Sequence, residues 1–372
     1  MRSALSASFL SLSSFKLPDR VHRFVCPLAA FALCLSSCKR NEPAGEATPA
    51  PAPAEATPQP TTPAPSIPPA PSTPVAVVAT PAPAPHNPPP AEIWKEFSGP
   101  KAFEHVTKQV EIGPRPSGTQ EAEKARALIT EALKAAGWDV ERQEFTDDTP
   151  RGKIAFVNLI ARFSASGAHP APADAQQVIL CSHYDTKRFS TIRFVGASDG
   201  ASSTGALMEM ARVLALDPAF AAKFELVFFD GEEAIQQFTD TDGLWGSRYY
   251  AKSLNASGRA RQFKQAILWD MIGDKDLTIT LSPDSPLTLA KGIFSAAEAL
   301  GVRQNFGYYG REILDDHRPL GKDAHVPAID LIDFDYIYWH TADDTLDKLS
   351  PDSLQKVGAV TLYYLKHEFG NK

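Results

Sequence analysis

Sulfur is scarce in this chain: its 372 residues include four cysteines and four methionines. Cys26, Cys34 and Cys38 crowd into the N-terminus, and only Cys181 falls in a region that reads as globular. If the chain is processed at Cys38 and that sulfur is consumed, no intrachain structural disulfide is expected. Basic charge is also short, with 37 Lys and Arg against 44 Asp and Glu, a net charge of −7 and a pI near 5.8. No broad basic surface is available to neutralise phosphates, which argues against a nucleic-acid partner and for small molecules or peptides. Long apolar runs are missing too. The candidate at residues 25–37, VCPLAAFALCLSS, is too short to span a bilayer comfortably.

What is present divides the chain in three. Residues 1–38 read as an export signal: His22 and Arg23 give a positive flank, the short apolar stretch follows, and Cys38 closes it. Residues 1–20 are a long lead for such a signal, and Val21 is an alternative start. Leu35-Ser36-Ser37-Cys38 resembles a bacterial lipobox, which implies a lipid anchor on Cys38. An outer-membrane location facing the periplasm is then expected, since Lys39 supplies no acidic retention signal; a cleaved, secreted or periplasmic protein is the alternative. Residues 39–91 are dominated by Pro, Ala and Thr, have little to bury, and read as an extended tether. Residues 92–372 suffice for one large α/β domain, expected as a monomer. Without a disulfide staple it relies on a sizeable core, helped by metal binding.

In that domain Phe103, Val106 and Val110 recur at helical spacing before the punctuation GPRPSG. A second helix runs from Thr119 to Gly137 with Ala122, Ala125, Leu128, Ile129 and Leu133 on one face. Strands are expected around 140–145, 154–162, 177–181, 224–229, 265–269, 278–281 and 326–332. Helices are expected at 200–216, 249–254 and 287–300. The alternation, with continuously apolar strands, predicts a mixed but mostly parallel sheet with helices on both faces. Ligands of such sheets collect beyond the carboxyl ends of the strands.

Polar residues cluster at those ends: His183 and Asp185, Asp199, Glu232 and Glu233, Asp270, and later His340. Singly they have ordinary explanations, such as Asp199 capping the helix at Gly200 or the two glutamates favouring a helix start. Together, carboxylates and imidazoles are costly to assemble without a cation, so the set reads as a zinc centre. Adjacent acids after a buried strand point in different directions, so one of Glu232 and Glu233 can hold metal while the other handles protons.

Eight segments carry a resemblance covering roughly residues 100–370: GPRPSG (113–118), CSHYDTK (181–187), FVGASDGASS (194–203), FFDGEEA (228–234), DGLWGSRYYA (242–251), LWDMIG (268–273), DDHRPL (315–320) and WHTADDTLDKL (339–349). In this order they resemble the M28 family of zinc aminopeptidases and glutaminyl cyclases. The two-zinc aminopeptidase pattern implies His183 and Asp270 on one metal, Glu233 and His340 on the other, and Asp199 bridging. Glu232 would be the general base and Asp185 would orient His183. The cyclase pattern implies one zinc on Asp199, Glu233 and His340, Glu232 as proton shuttle, and Asp270 with Asp315 as a carboxylate network. Lys187, Phe189, Phe238 and Trp339 would shape the pocket. Asp315-Asp316-His317 and Trp339 resemble the cyclases more closely, whereas Asp335 stands where the animal enzymes carry an aromatic. The cyclase branch implies conversion of N-terminal glutamine to pyroglutamate on peptides or proteins. The alternatives are an aminopeptidase releasing N-terminal amino acids and a nonenzymatic binding module.

Overall fold

The computed structural model describes residues 88–164, 176–239 and 241–370. The export signal, all but the end of the tether, and the three N-terminal cysteines lie outside the described residues; Cys181 is free and buried.

Helix α1 (Gly99–Ile112) begins where the Ser98 hydroxyl accepts from the Lys101 amide and Pro100 occupies the first turn, where its missing N–H costs nothing. Helix α2 (Gln120–Ala135) is capped by Thr119 and buries Ala122, Ala125, Ile129 and Leu133, the stripe read from the sequence. Strands β1 (Trp138–Thr149) and β2 (Gly152–Phe163) follow as an antiparallel hairpin with Phe145 opposite Phe156. Both outrun their apolar stretches, because backbone pairing continues to a turn whose tip is solvent-exposed and polar.

The central strands are β3 (Val178–His183), β4 (Phe224–Phe229), β5 (Gln265–Asp270) and β8 (Ala328–Ile332), all wholly buried. Between them come α3 (Ser203–Leu214), the single turn α4 (Pro218–Ala221), α5 (Trp245–Ala256), β6 (Ile279–Leu281), α6 (Leu287–Ala299), β7 (Phe306–Tyr308) and α7 (His317–Lys322). Helix α8 (Pro351–Phe369) closes the chain. The eight strands form one sheet in the order β1-β2-β4-β3-β5-β8-β6-β7. Strands β4, β3, β5 and β8 are mutually parallel, and antiparallel joints at β1–β2, β2–β4 and β8–β6 make the sheet mixed.

Side chains alternate between two apolar layers, as a pleat requires. Val178, Leu180, Leu226, Phe228, Ile267, Trp269, Ile329 and Leu331 face the core under α1, α2, α3, α6 and α8. Ile179, Cys181, Val227, Phe229, Ala266, Leu268 and Ala328 face Tyr250, Ala251 and Leu254 of α5 and Leu320 of α7. All four central strands therefore present their carboxyl ends along one rim.

Three elements differ from expectation or were not anticipated. The helix expected from Gly200 starts at Ser203, because Asp199 and Gly200 lie in a kinked wide turn over Ala197–Ser202 with non-helical backbone. Helix α5 begins at Trp245 rather than Tyr249, its Gly246 packed against the Asp230 carbonyl where a Cβ would lie 2.5 Å away. Helix α8 emerges as a long core element, buried through Leu354, Val357, Leu362 and Leu365.

Candidate metal centre and adjoining pocket

Residue His183 ends β3 and Asp270 ends β5, so two neighbouring parallel strands deliver them to the rim side by side. Asp199 arrives from the kinked turn. Gly200 there has φ 87°, and a Cβ on it would stand 2.8 Å from the Asp185 carbonyl and 3.0 Å from the His183 ring, so a side chain is barred twice over. Two buried residues hold this turn. The Asp344 carboxylate accepts from the amides of Ser198 (2.8 Å) and Asp199 (3.1 Å). Arg115, of the GPRPSG segment, donates to the carbonyls of Tyr184 (3.1 Å), Val195 (2.7 Å) and Gly196 (3.1 Å), tying the exits of β3 and the approach to Asp199 together.

The glutamates leave β4 through Asp230 and Gly231. The amides of Glu232 and Glu233 donate to the two oxygens of Asp185, at 3.1 and 3.4 Å, while Asp185 Oδ1 also lies 3.5 Å from His183 Nδ1. One carboxylate thus sets both the imidazole and the glutamate pair. His340 adopts left-handed backbone (φ 56°) in the loop after β8 and is stacked on Trp339, ring centres 4.2 Å apart.

The polar atoms converge as two triads sharing Asp199. His183 Nε2 lies 3.1 Å from Asp270 Oδ1 and 3.2 Å from Asp199 Oδ1. His340 Nε2 lies 3.3 Å from Asp199 Oδ2 and 3.2 Å from Glu233 Oε2. Among the described residues these are the two clusters compact enough to hold an ion. The electrostatics ask for positive charge. Burial opposes protonation of His340, but hydrogen bonds with Asp199 and Glu233 raise it to about 10; burial likewise opposes His183, whose carboxylate neighbours, Asp270 foremost, raise it well above the ordinary range. Asp199 is pushed up by burial yet held below the usual carboxylate range by the two imidazoles. Asp199 Oδ2 and His183 Nδ1 are buried without an aligned hydrogen bond among the described residues. A divalent cation fits this donor set of imidazole and carboxylate.

Beside the triads opens a cavity of about 180 Å³. Asp199, Glu232, Asp270 and Asp315 supply its acids, and Phe238, Phe334, Trp339 and Ile313 its apolar walls. Burial holds the Glu232 carboxyl well above the ordinary range; His183 opposes, and Asp315, Glu233 and Asp316 add to the rise. Burial also lifts Asp270 to about 7, against His183 and with Asp315 and Asp199.

Of the residues expected to shape the pocket, Phe238 and Trp339 line this cavity, whereas Lys187 and Phe189 do not. The Lys187 amide donates to Glu233 Oε1 (3.0 Å) and its ammonium to the Ala234 carbonyl (2.6 Å), so it braces the glutamate loop from behind. Phe189 sits edge-on to His340, 5.6 Å between centres. Asp335 is not a lining residue; Phe334, packed on Trp339 at 5.6 Å, supplies an aromatic wall one position earlier. Phe334, Arg115 and Asp344 were not singled out from the sequence. Arg115 and Asp344 stood inside quoted motifs, but nothing in the sequence marks either of them as buried.

Fold and site together define an α/β protein with a histidine–carboxylate cluster able to hold metal at the rim of its sheet. The chain belongs to peptidase family M28, whose model matches residues 158–365. It is similar to the glutaminyl-peptide cyclotransferase of Drosophila melanogaster, 28% identical over 283 residues covering 68% of this chain and 77% of that protein. Among solved structures it resembles an Acidobacteriales bacterium glutaminyl cyclase (TM-score 0.68, 34% identity, 78% of this chain and 99% of that one). A Zn-dependent exopeptidase from Parabacteroides distasonis superimposes with TM-score 0.65 at 26% identity, covering 74% and 99%.

Proposed function

We propose that this protein is a zinc-dependent glutaminyl-peptide cyclotransferase, closing N-terminal glutamine to pyroglutamate with release of ammonia. The observation that carries the reading is the meeting of Asp315, Asp270, Glu232 and Trp339 around one cavity of about 180 Å³, of a size for a single side chain. Glutaminyl cyclases among the relatives and structural neighbours support it.

Asp199, Glu233 and His340 would hold the zinc, which when bound supplies Lewis acidity to the glutamine side-chain carbonyl. The remaining work falls to the chain itself. Glu232, whose burial and acidic neighbours make its carboxylate a stronger base than usual, takes a proton from the α-amine and returns it to the departing amide nitrogen. Asp270, lifted to about 7 by burial and by Asp315 and Asp199 against His183, exchanges a proton at the leaving nitrogen, with Asp315 beside it in the same cavity. Trp339, Phe334 and Phe238 fold the side chain toward its own amine and exclude water, and that orientation is what an intramolecular ring closure needs most. The lipobox at Cys38 supports action from the cell envelope, with exported proteins or envelope peptides as substrates.

Incubation with Gln-peptides and Leu-peptides followed by mass analysis tests the reading: the first should lose ammonia and the second stay intact. The intact triad His183, Asp199 and Asp270 favours a second reading, a two-metal aminopeptidase, and release of free leucine without ammonia loss would establish it instead. Glu232→Gln should lower kcat by about 100-fold or more while leaving the thermal midpoint and bound zinc unchanged.

A further inference from the structure

One wall of the pocket stands on an exposed stretch of chain. Phe238 lines the cavity of about 180 Å³ from the connection between β4 and α5, where its neighbours Gln236, Gln237 and Thr239 are exposed. Among the described residues no helix or strand holds the backbone there. Exposed connections of this kind open locally at little cost unless something ties them. For an intramolecular ring closure that matters, because misplacement by about an ångström is worth about 100-fold in rate.

Asp242 supplies the tie. Its buried side chain accepts from three consecutive amides: Oδ1 from Ile235 (2.7 Å), Oδ2 from Gln236 (2.9 Å) and Gln237 (3.1 Å). On the other side of Phe238, the Thr239 amide donates to the Asp242 carbonyl (3.0 Å) and the Asp242 amide donates to the Thr239 hydroxyl oxygen (3.0 Å). The backbone on both flanks of the ring is therefore bound to one residue. A carboxylate, with two acceptor oxygens, takes three amides at once; a side-chain amide, with one, does not. Gly243 completes the arrangement. Its backbone has φ 101°, and a Cβ there would stand 2.8 Å from the Phe238 ring, so the ring lies where any side chain would push it away. The Lys187 ammonium faces the same ring at 5.1 Å.

We propose that Asp242 is a positioning residue for the reaction, fixing Phe238 as a wall of the pocket by holding the backbone on either side of it. The kinetic consequence rests on the cyclase reading, whereas the hydrogen bonds stand without it. Asp242 does not line the cavity, so it acts through Phe238. The Leu244 amide, two residues further on, donates to the Glu232 carbonyl (2.8 Å), which keeps the wall in register with the glutamate that handles protons. With the tie cut, a bound glutamine side chain is free to extend away from its own amine, and the loss falls mainly on kcat.

The test is a double-mutant cycle on ammonia release from a Gln-peptide, paired with amide hydrogen exchange read by mass spectrometry over residues 234–239. Asp242→Ala should lose at least about tenfold in kcat, with exchange accelerated in that segment and unchanged in the central strands. Adding Asp242→Ala to Phe238→Ala should cost no more than about twofold beyond Phe238→Ala alone, because the wall that Asp242 positions is already gone. A residue needed only for folding would instead reduce both backgrounds by the same factor, and that result overturns the proposal. Wild-type kcat in Asp242→Ala overturns it as well. Should the alanine variant fail to fold, Asp242→Asn removes one of the two acceptor oxygens; a smaller loss that vanishes in the Phe238→Ala background supports the assignment, and no loss, or one that persists there, sinks it. If the wild type releases no ammonia, the cyclase reading fails, and the exchange measurement alone decides whether Asp242 holds the loop.

Discussion

Asp185 shows how much a single side chain can organise here. Its two oxygens receive the amides of Glu232 and Glu233, so neighbours in sequence diverge, one toward the His340 triad and one into the pocket. Asp344 does the same for Asp199. Replacing Asp344 with Ala should therefore weaken zinc binding about 10–100-fold, read by competition with a coloured chelator, because the Asp199 turn loses both amide anchors. The identities of the triad residues were legible in the sequence because each ends a strand or sits in a short motif. The roles of Asp344 and Arg115 were not, since the partners through which they hold the site lie 69 to 146 positions away. Asp333 gives a pH prediction at the same scale. Burial raises its carboxyl to about 7, opposed by the Thr278 amide and reinforced by Asp274 and Asp335. The folded state thus binds a proton that the unfolded chain releases near 4, and stability falls as pH rises from there through 7. Thermal unfolding of Asp333→Asn between these limits should show a shallower decline than wild type.

Elements were legible where one periodicity ran unbroken. Helix α2 shows a clear stripe, and the central strands are continuous apolar runs bounded by polar ends. Helix α8 went unread although its buried Leu354, Val357, Val360, Leu362 and Leu365 stand opposite the exposed or half-buried Asp352, Gln355, Lys356 and His367. Its packing is close enough to measure. A Cβ on Gly358 would stand 2.3 Å from the ring of Phe97, itself buried, so neither side can yield cheaply. Gly358→Ala should destabilise the domain by about 1–3 kcal/mol despite its better helix propensity, which chemical denaturation will reveal as a lower midpoint. The turn over Ala197–Ser202 went unread because Gly200 followed by small residues permits a helix start, and the non-helical backbone at Asp199 and Gly200 leaves no mark in the sequence.

For the whole molecule, the mixed, mostly parallel sheet and the rim site followed from the alternation of strands and helices. Antiparallel pairing at the outer strands did not, since pairing direction leaves no local mark on a short apolar run. The proposed division into export signal, tether and globular domain yields its own prediction. Cys38→Ala should shift the protein from the membrane pellet to the soluble fraction on cell fractionation while leaving its activity per molecule intact.

Trp339 is stacked on the imidazole of His340, the proposed metal ligand, at 4.2 Å and remains 39% exposed, whereas Trp138, Trp245 and Trp269 are buried. Its indole is consequently a native optical gauge. It is the most exposed of the five tryptophans and lies in contact with the ring proposed to receive the ion. Arrival of a metal and arrival of a peptide then write separate changes, one in quenching and one in colour, so the order of the two events can be followed in a stopped-flow cell without any label.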